Sequence, residues 1–323
     1  MSITEQLDKL KEETIKLRKK MTGIKVYSGI DKLPSGRASD EITEGCLCLE
    51  GGAWKGVYTV GVLDALMVHG INFRSVVGIS AGGLSGLGYV TGQIGLSARV
   101  DLTYRHDSNY CGIKAYKKNH GITGFSYLYN EILKKDTPLD RKRLKETPRR
   151  FAVGATNMLT GKIEYFEKGK CANLSAAVRA SATVPFLSRP VVMHGVPYLD
   201  GGCSIRIPYD WAQASGEKKI IVVKTREREF RRGKDGSARL ANQLYRNYPN
   251  FVESLSHQNK DFNELVEQIY RDEARGKTFV IAPSEKVEVS RFEGDMEKLG
   301  NHYWLGYHDM EARLDDLKAY LAN

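Results

Sequence analysis

A serine between glycines is the feature of this sequence best suited to chemistry. Ser80 is the central residue of Gly78-Ile79-Ser80-Ala81-Gly82, which fits the pattern G-x-S-x-G. In that pattern a sharp strand-to-helix turn exposes the serine hydroxyl as a nucleophile. The glycines suit such a turn because it needs backbone freedom and no bulk beside the hydroxyl. A glycine-rich turn without catalysis has the same five letters, so the segment needs partners before it indicates an enzyme.

Two other glycine-containing segments could supply those partners. Glu50-Gly51-Gly52-Ala53-Trp54-Lys55-Gly56 lies between an apolar run and a helical pattern, and such a turn offers free backbone N–H groups to an oxyanion or a phosphate. It lacks the Gly-Lys-Ser/Thr ending of a nucleotide-binding P-loop. Tyr198-Leu199-Asp200-Gly201-Gly202 places an aspartate before two glycines, an arrangement that an ordinary Asx-type turn also has.

The elements that must position these segments predict an α/β fold. Short apolar runs alternate with helical patterns, which indicates a mainly parallel central sheet with helices on both faces. Active sites in such sheets gather at the carboxyl ends of strands, and Glu50, Gly78 and Asp200 all sit at predicted strand ends. The predicted strands are Cys46–Leu49, Phe73–Val77, Phe151–Ala155, Ile163–Phe166, Val196–Leu199, Ile220–Val223 and Thr278–Pro283. The predicted helices are Val57–Met67, one after Ser80, Leu174–Ala180, a region from Tyr248 to about Arg275, and Leu314–Leu321.

Taken in order along the chain, the three segments resemble the patatin-like phospholipase family, most of all its bacterial single-domain members. The resemblance runs from about Ile42 to Pro208 and includes two more stretches, Ala155–Gly161 and Ala177–Phe186. It implies the three-layer patatin-like fold and a serine acyl-ester hydrolase of the phospholipase A or lysophospholipase type. It also implies a dyad without histidine, in which Asp200 accepts the proton of Ser80 as Ser80 attacks an ester carbonyl.

The same resemblance assigns the glycine-rich turn to an oxyanion hole. The backbone N–H groups of Gly51, Gly52 and Ala53 would bind the tetrahedral oxyanion, and Lys55 would hold a lipid phosphate or support the turn. Ala53 replaces a third glycine of the family and Lys55 replaces an arginine. Ala53 keeps its N–H, so the anion site survives if its φ is negative. Lys55 keeps the charge but loses the guanidinium fork.

Two other functions fit parts of the pattern. A Ser-Asp-His α/β-hydrolase has its triad in that chain order, and three histidines follow Asp200, namely His257, His302 and His308. Asp-Gly-Gly has no special meaning in that fold, which counts against a triad. A non-catalytic lipid-binding module is the other alternative, because Ala53 and Lys55 depart from the family pattern.

Composition limits the partners. The chain has 323 residues, of which 41% are hydrophobic, with a net charge of +10 and a mean hydropathy of −0.41, which fits one large globular α/β domain. The basic residues concentrate in Arg141–Lys145, in Arg149 and Arg150, and in Lys224–Lys234. No nucleic-acid-binding signature accompanies these runs. Besides a phospholipid or other acyl-ester substrate, we therefore expect peripheral contact with an anionic membrane and no nucleic acid.

The remaining features bear on organisation. The sequence has no apolar stretch of about 18 residues, no signal-peptide pattern and five cysteines, which favours reduced thiols in the cytoplasm. Cys46 and Cys48 should face one side of a strand, and we expect neither a metal nor a cofactor. A capping box at Ser2–Glu5 predicts a helix from about Ile3 to Lys20, followed by a linker at Gly29–Ser39. We divide the chain into residues 1–40, the helix and linker, and residues 41–323, the main domain; the oligomeric state is not predicted.

Overall fold

The central sheet forms where the sequence has short apolar runs. A computed structural model describes residues 23–233, 236 and 238–323, so the helix expected at Ile3–Lys20 lies outside the described residues. The strands of the described residues are β1 Gly36–Arg37, β2 Thr43–Leu49, β3 Phe73–Ile79, β4 Gln93–Ile94, β5 Arg150–Asn157, β6 Ile163–Glu167, β7 Val191–Met193, β8 Val196–Asp200, β9 Ile220–Val223 and β10 Thr278–Ile281.

Eight of these strands form one mainly parallel sheet. They pair in the order β10-β9-β2-β3-β5-β8-β7, with β6 also beside β5. The five strands from β10 to β5 are parallel to one another, whereas β6, β8 and β7 are antiparallel to their neighbours. The expected fold class is confirmed, with one correction: Asp200 ends a strand that runs against the parallel block.

Helices cover both faces of the sheet, as expected. The helices of the described residues are α1 Val57–Val68, α2 Ala81–Val90, α3 Leu96–Tyr104, α4 Ile113–Asn119, α5 Phe125–Tyr127, α6 Arg141–Glu146, α7 Leu174–Ser181, α8 Tyr209–Ala214, α9 Ala238–Leu244, α10 Pro249–Ala274, α11 Met296–Ala312 and α12 Leu314–Ala322. α5 continues as a π-helix over Leu128–Asp136, and short 3₁₀ helices lie at Ile30–Lys32, Ala53–Gly56 and Gly201–Cys203. No helix of these ranges is long and apolar enough to cross a membrane.

The two-residue period of β2 divides its side chains between two cores. Leu47 and Leu49 pack in the core that α1, α2, α7, α11 and α12 cover. Cys46 and Cys48 pack in the opposite core, under α8 and α10. Both cysteines thus face the same side, as predicted, and burial raises the pKa of each thiol.

Two glycines bring α1 and α11 into backbone contact. A Cβ added to Gly61 would lie 2.0 Å from the carbonyl oxygen of Tyr303, and one added to Gly306 would lie 2.1 Å from that of Tyr58. The Tyr303 hydroxyl also donates a 2.9 Å hydrogen bond to Asp64. Helix α11 therefore holds in place α1, the helix that follows the glycine-rich turn.

The segment expected to be a linker lies against the domain. Within Gly29–Ser39, Leu33 and Ala38 are buried, and β1 pairs with β4. The division at residue 40 stays a prediction, because it concerns the preceding residues as well.

Candidate active site

Ser80 occupies the sharp turn between β3 and α2. Its backbone has φ 54° and ψ −120°, a conformation that is uncommon for a residue other than glycine and typical of strained functional turns. The flanking glycines are needed for close packing. A Cβ at Gly78 would lie 2.5 Å from the Gly82 carbonyl carbon, and a Cβ at Gly82 would lie 2.6 Å from the Leu49 carbonyl oxygen.

The Ser80 hydroxyl and the Asp200 carboxylate are in direct contact. Ser80 Oγ donates a 2.7 Å hydrogen bond to Asp200 Oδ2. The other oxygen, Oδ1, accepts the Gly202 N–H at 2.8 Å, and Ser181 Oγ accepts the Ser80 N–H at 2.9 Å. Ser80 is 9% exposed and Asp200 is 7% exposed, so the pair is fixed in position and mostly shielded from water.

Burial raises the pKa of the Asp200 carboxyl above its ordinary value. Hydrogen bonds from Ser80 and Gly202 and the charges of Arg291 and Arg206 offset part of this effect. A carboxylate with a raised pKa is a stronger base, which suits proton abstraction from a hydroxyl.

Strand register explains how Asp200 reaches Ser80. Ile79, at the end of β3, is the partner of Gly154 on β5. Within β5, only the last three residues pair with β8. In that pairing Asp200 lies opposite Ala155, the residue after Gly154. The short antiparallel strand therefore ends level with the serine turn.

The glycine-rich turn departs from expectation at two of its three expected donors. The Gly51 N–H donates to the Arg206 carbonyl at 2.9 Å and is not free for an oxyanion. Ala53 has φ +50°, so the condition of a negative φ is not met, although its backbone N–H is present. Among the hydrogen bonds of the described residues, none uses the N–H of Gly52 or Ala53. These two groups remain as candidate donors beside Ser80.

Thr225 and Glu50 support the turn from behind, a role that sequence reasoning missed. A Cβ at Gly52 would lie 2.6 Å from Thr225 Oγ1. The Glu50 carboxylate, fully buried, accepts the Thr225 N–H at 2.7 Å. Glu50 therefore links the turn to the end of β9; the only signal in the sequence is its position directly after β2.

Two cavities of different character border Ser80. One, of about 120 Å³, is mainly apolar and is lined by Leu84, Leu87, Leu96, Val100, Leu128 and Leu133 among others. The other, of about 240 Å³, contains Asp200, the glycine-rich turn and the cations Lys55, Arg206, Arg226, Arg232 and Arg291. Ala53, Ser80, Val184 and Arg291 line both. A substrate whose reacting bond lies at Ser80 can thus place an apolar group in the first cavity and an anionic group in the second.

Residues 224–233, the described part of the basic run Lys224–Lys234, do not form the exposed surface expected for membrane contact. Lys224 is fully buried, and Arg226 and Arg232 line the cavity beside Ser80. Arg228 pairs with Glu273 and Arg231 with Glu267. The other run is more exposed, since Arg141, Lys142 and Lys145 of α6 face solvent.

The three histidines that a triad would need have other surroundings. His302 Nε2 lies 3.2 Å from the Lys55 carbonyl oxygen, and burial lowers its pKa to about 4. His308 pairs with Glu311, and His257 is exposed on α10. Among the hydrogen bonds within the described ranges, none joins these histidines to Ser80 or Asp200.

Comparisons with known proteins match both halves of the chain. Residues 47–212 match the model for patatin-like phospholipase, and residues 248–322 match a domain of unknown function, DUF6363. The uncharacterized protein YjjU of Escherichia coli (strain K12) is 29% identical over 55% of this chain and 51% of its own length. Lysophospholipase NTE1 of Meyerozyma guilliermondii is 29% identical over 55% of this chain and 12% of its own length.

A third relative, probable lipid hydrolase 463L of Invertebrate iridescent virus 6, is 27% identical over 55% of this chain and 69% of its own length. The chain spans about half the length of YjjU and a small part of the lysophospholipase. Because the family model covers just over half of the 323 residues, this chain belongs to the patatin-like phospholipase family.

Proposed function

We propose that this chain is a serine hydrolase that cleaves acyl esters of lipids, of the phospholipase A or lysophospholipase type. Ser80 is the nucleophile and Asp200 the general base. The observation that carries the proposal is the 2.7 Å hydrogen bond from Ser80 Oγ to Asp200 Oδ2 at a strained strand-to-helix turn. The names of two relatives, a lysophospholipase and a probable lipid hydrolase, support a lipid substrate.

Acylation begins when Ser80 Oγ attacks the ester carbonyl carbon as its proton passes to Asp200 Oδ2. The carbonyl π electrons move to oxygen, and the N–H groups of Gly52 and Ala53 stabilise the oxyanion where its charge develops. When the intermediate collapses, the C–O bond to the alcohol breaks. Asp200 returns the proton to the departing alcohol, which leaves an acyl-Ser80 ester.

Deacylation repeats the same steps with water. The oxygen of a water molecule attacks the acyl carbon while Asp200 takes a proton from that water. When the bond between the acyl carbon and Ser80 Oγ breaks, Asp200 passes the proton to Ser80 Oγ. The products are the free carboxylic acid and the original enzyme. The raised pKa of Asp200 suits both directions of proton transfer.

The apolar cavity supports a fatty acyl group as the acid part of the ester. Leu84 and Leu87 of α2 and Val100 of α3 line it next to Ser80. Burial of each methylene of an acyl chain in such a cavity is worth about 0.8 kcal/mol. Longer acyl chains should thus be preferred until the cavity is full.

Work at an anionic lipid surface is part of the proposal. On α4, Ile113 is 78% exposed and Tyr116 is 47% exposed. Cys111 and Ile122, on either side of this helix, line the apolar cavity. The same helix carries the cations Lys114, Lys117 and Lys118. Exposed apolar side chains among lysines suit the boundary of a membrane with anionic lipids.

A fluorophosphonate probe tests the nucleophile directly. Ser80 should be labelled in the wild type, and Ser80→Ala should lose both the labelling and the hydrolysis of a short uncharged ester. Ser75→Ala is the matched control, since Ser75 lies on the same strand and bonds Glu217 instead. Labelling elsewhere, or normal hydrolysis by Ser80→Ala, would overturn the proposal.

Alanine replacements of His257, His302 and His308 separate the dyad from a triad. Near-normal rates in all three variants support the dyad. Loss of activity in one correctly folded variant supports a Ser-Asp-His enzyme instead.

A further inference from the structure

Five cations line the second of the two cavities that border Ser80. They come from distant parts of the chain: Lys55, Arg206, Arg226, Arg232 and Arg291. Arg226, Arg232 and Arg291 lie beyond residue 212, where the match to the patatin-like model ends. The cluster therefore depends on residues outside the matched catalytic region.

These five cations outnumber the carboxylates near them. The charges of Glu50 and Asp200 act on members of the cluster, but neither lies within ion-pair distance of one. Arg226 has Glu227 at 3.9 Å; the other four form no ion pair with a carboxylate of the described residues. The Nε atoms of Arg206 and Arg232 are buried without a hydrogen-bond partner. Dehydrated charge without a partner is unfavourable, so a bound anion would stabilise this arrangement.

Other contacts hold the arginines in place. Arg206 donates from Nη2 to Gln258 at 2.6 Å. The Arg232 guanidinium lies 4.7 Å from the centre of the Phe262 ring, and Arg226 donates to the Val287 carbonyl at 2.8 Å. These contacts orient the charges before any ligand arrives, which lowers the entropy lost on binding.

Burial and the neighbouring cations lower the pKa values of two members of the cluster. Burial, followed by the charges of Arg226, Arg232 and Arg291, lowers the pKa of Lys55 to about 8. Burial and neighbouring cations likewise lower the pKa of Arg232 to about 10.

We infer that this cavity binds the phosphate of the substrate's alcohol part, and that preferred substrates are acylglycerol phosphates without an ammonium group. The inference rests on the proposed function, since it names the substrate of the same site. Arginine forks bind phosphate oxygens in pairs, and lysine adds a point charge.

Charge and size select the head group. A neutral glycerol would leave the cations in excess over the carboxylates near them, and a choline ammonium would be placed among like charges. The cavity of about 240 Å³ is also smaller than the pockets of roughly 300–1,000 Å³ that hold drug-sized ligands. Glycerol phosphate is small and anionic, and it connects directly to the ester at Ser80.

The test compares three esters with the same short acyl chain, so that all stay monomeric: 1-acylglycerol 3-phosphate, 1-acylglycerophosphocholine and 1-acylglycerol. The wild type should favour the phosphate monoester in kcat/KM by roughly tenfold to a hundredfold, the range of a charged hydrogen bond. Arg232→Gln should lower the ratio of phosphate monoester to acylglycerol by roughly tenfold. Arg231→Gln is the matched control. Arg231 is next to Arg232 in the sequence, but its guanidinium pairs with Glu267 outside the cavity, so this substitution should leave the ratio unchanged.

Inorganic phosphate distinguishes a lipid phosphate from a free one. It should compete with the phosphate monoester, and it should not activate cleavage of acylglycerol. Activation would mean that the cavity serves free phosphate, which overturns the substrate assignment.

The remaining outcomes separate this inference from the proposed function. Ser80-dependent hydrolysis with equal kcat/KM for all three esters would overturn the inference alone. If no ester is cleaved, the proposed function fails, and titration calorimetry of Ser80→Ala with glycerol 3-phosphate decides the binding site. Saturable binding that Arg232→Gln weakens supports the cavity, and no binding overturns it.

Discussion

Gly51 donates its backbone N–H to the carbonyl oxygen of Arg206 at 2.9 Å. This bond connects the glycine-rich turn, which carries the proposed oxyanion donors, to the loop that follows Asp200, the proposed base. Gly51 has a structural role in this arrangement. In the proposed mechanism, the stabilisation of the oxyanion then depends on the next two N–H groups, those of Gly52 and Ala53.

Gly52→Val should lower turnover by roughly two to three orders of magnitude, the scale of losing one oxyanion donor. The new Cβ would lie 2.6 Å from Thr225 Oγ1, so the turn must shift and carry its N–H groups away. kcat for a short uncharged ester measures the effect, and circular dichroism checks the fold. Gly236→Val is the control, since a Cβ there meets no atom within 4 Å. A folded, fully active Gly52→Val enzyme would contradict the assignment of the turn.

Ala53→Gly should stabilise the fold by about 1 kcal/mol, because Ala53 has φ +50°, where a Cβ is unfavourable. Its N–H is kept, so kcat/KM should stay near the wild-type value or rise slightly. Chemical denaturation and ester hydrolysis measure the two quantities. A clear loss of stability would mean that the Ala53 methyl makes contacts that outweigh the backbone strain.

Asp200→Asn should abolish turnover without loss of stability at pH 7. The amide is nearly isosteric but cannot accept the Ser80 proton. Because burial raises the pKa of Asp200, its ionisation opposes folding. This penalty grows as pH rises from the unfolded pKa of about 3.9 and is complete above the folded pKa. Tm of the variant at pH 7 should equal or exceed that of the wild type.

The same ionisation governs the acid limb of the wild-type pH profile. kcat/KM should fall on acidification with an apparent pKa above the ordinary aspartate value, since only the carboxylate acts as base. A flat profile through this range, or an active Asp200→Asn, would exclude Asp200 as the base.

Lys55 gives the cationic cavity its own pH dependence. With a pKa of about 8, Lys55 loses its charge as pH rises past that value, and kcat/KM for an acylglycerol phosphate should fall. Lys55→Arg should move this fall to higher pH, because arginine stays protonated. The effect is isolated by dividing kcat/KM for the acylglycerol phosphate by kcat/KM for the uncharged acylglycerol at each pH. An unchanged pH profile of this ratio in Lys55→Arg would exclude Lys55 from phosphate binding.

Sedimentation with vesicles should rise with anionic lipid content and fall with salt. A double variant of α4, Ile113→Ser with Tyr116→Ser, should bind less at every salt concentration, because both side chains are exposed. Lys142→Glu with Lys145→Glu tests the exposed α6 run in parallel. Equal binding to neutral vesicles at low and high salt would refute the electrostatic part of the prediction.

Local patterns were sufficient for the elements that carry Ser80. The predicted strands Cys46–Leu49 and Phe73–Val77 lie within β2 and β3, and α1 begins at Val57 as expected. The apolar runs of these strands and the G-x-S-x-G pattern are local, so the sequence alone contains this information. The sequence did not predict helix α11. Its glycines are unfavourable for a helix by themselves, and only the close packing against α1 explains Gly306.

Only the tertiary structure decided how these parts meet. Asp200 was identified from its glycines and the family resemblance, but its strand runs antiparallel to β5, and direction depends on a partner distant in sequence. The burial of Arg226 and Arg232 beside Ser80 and the positive φ of Ala53 likewise follow from long-range packing. Residue types along the chain determine which chemistry is available, whereas contacts between distant segments determine which charges lose water and face the nucleophile.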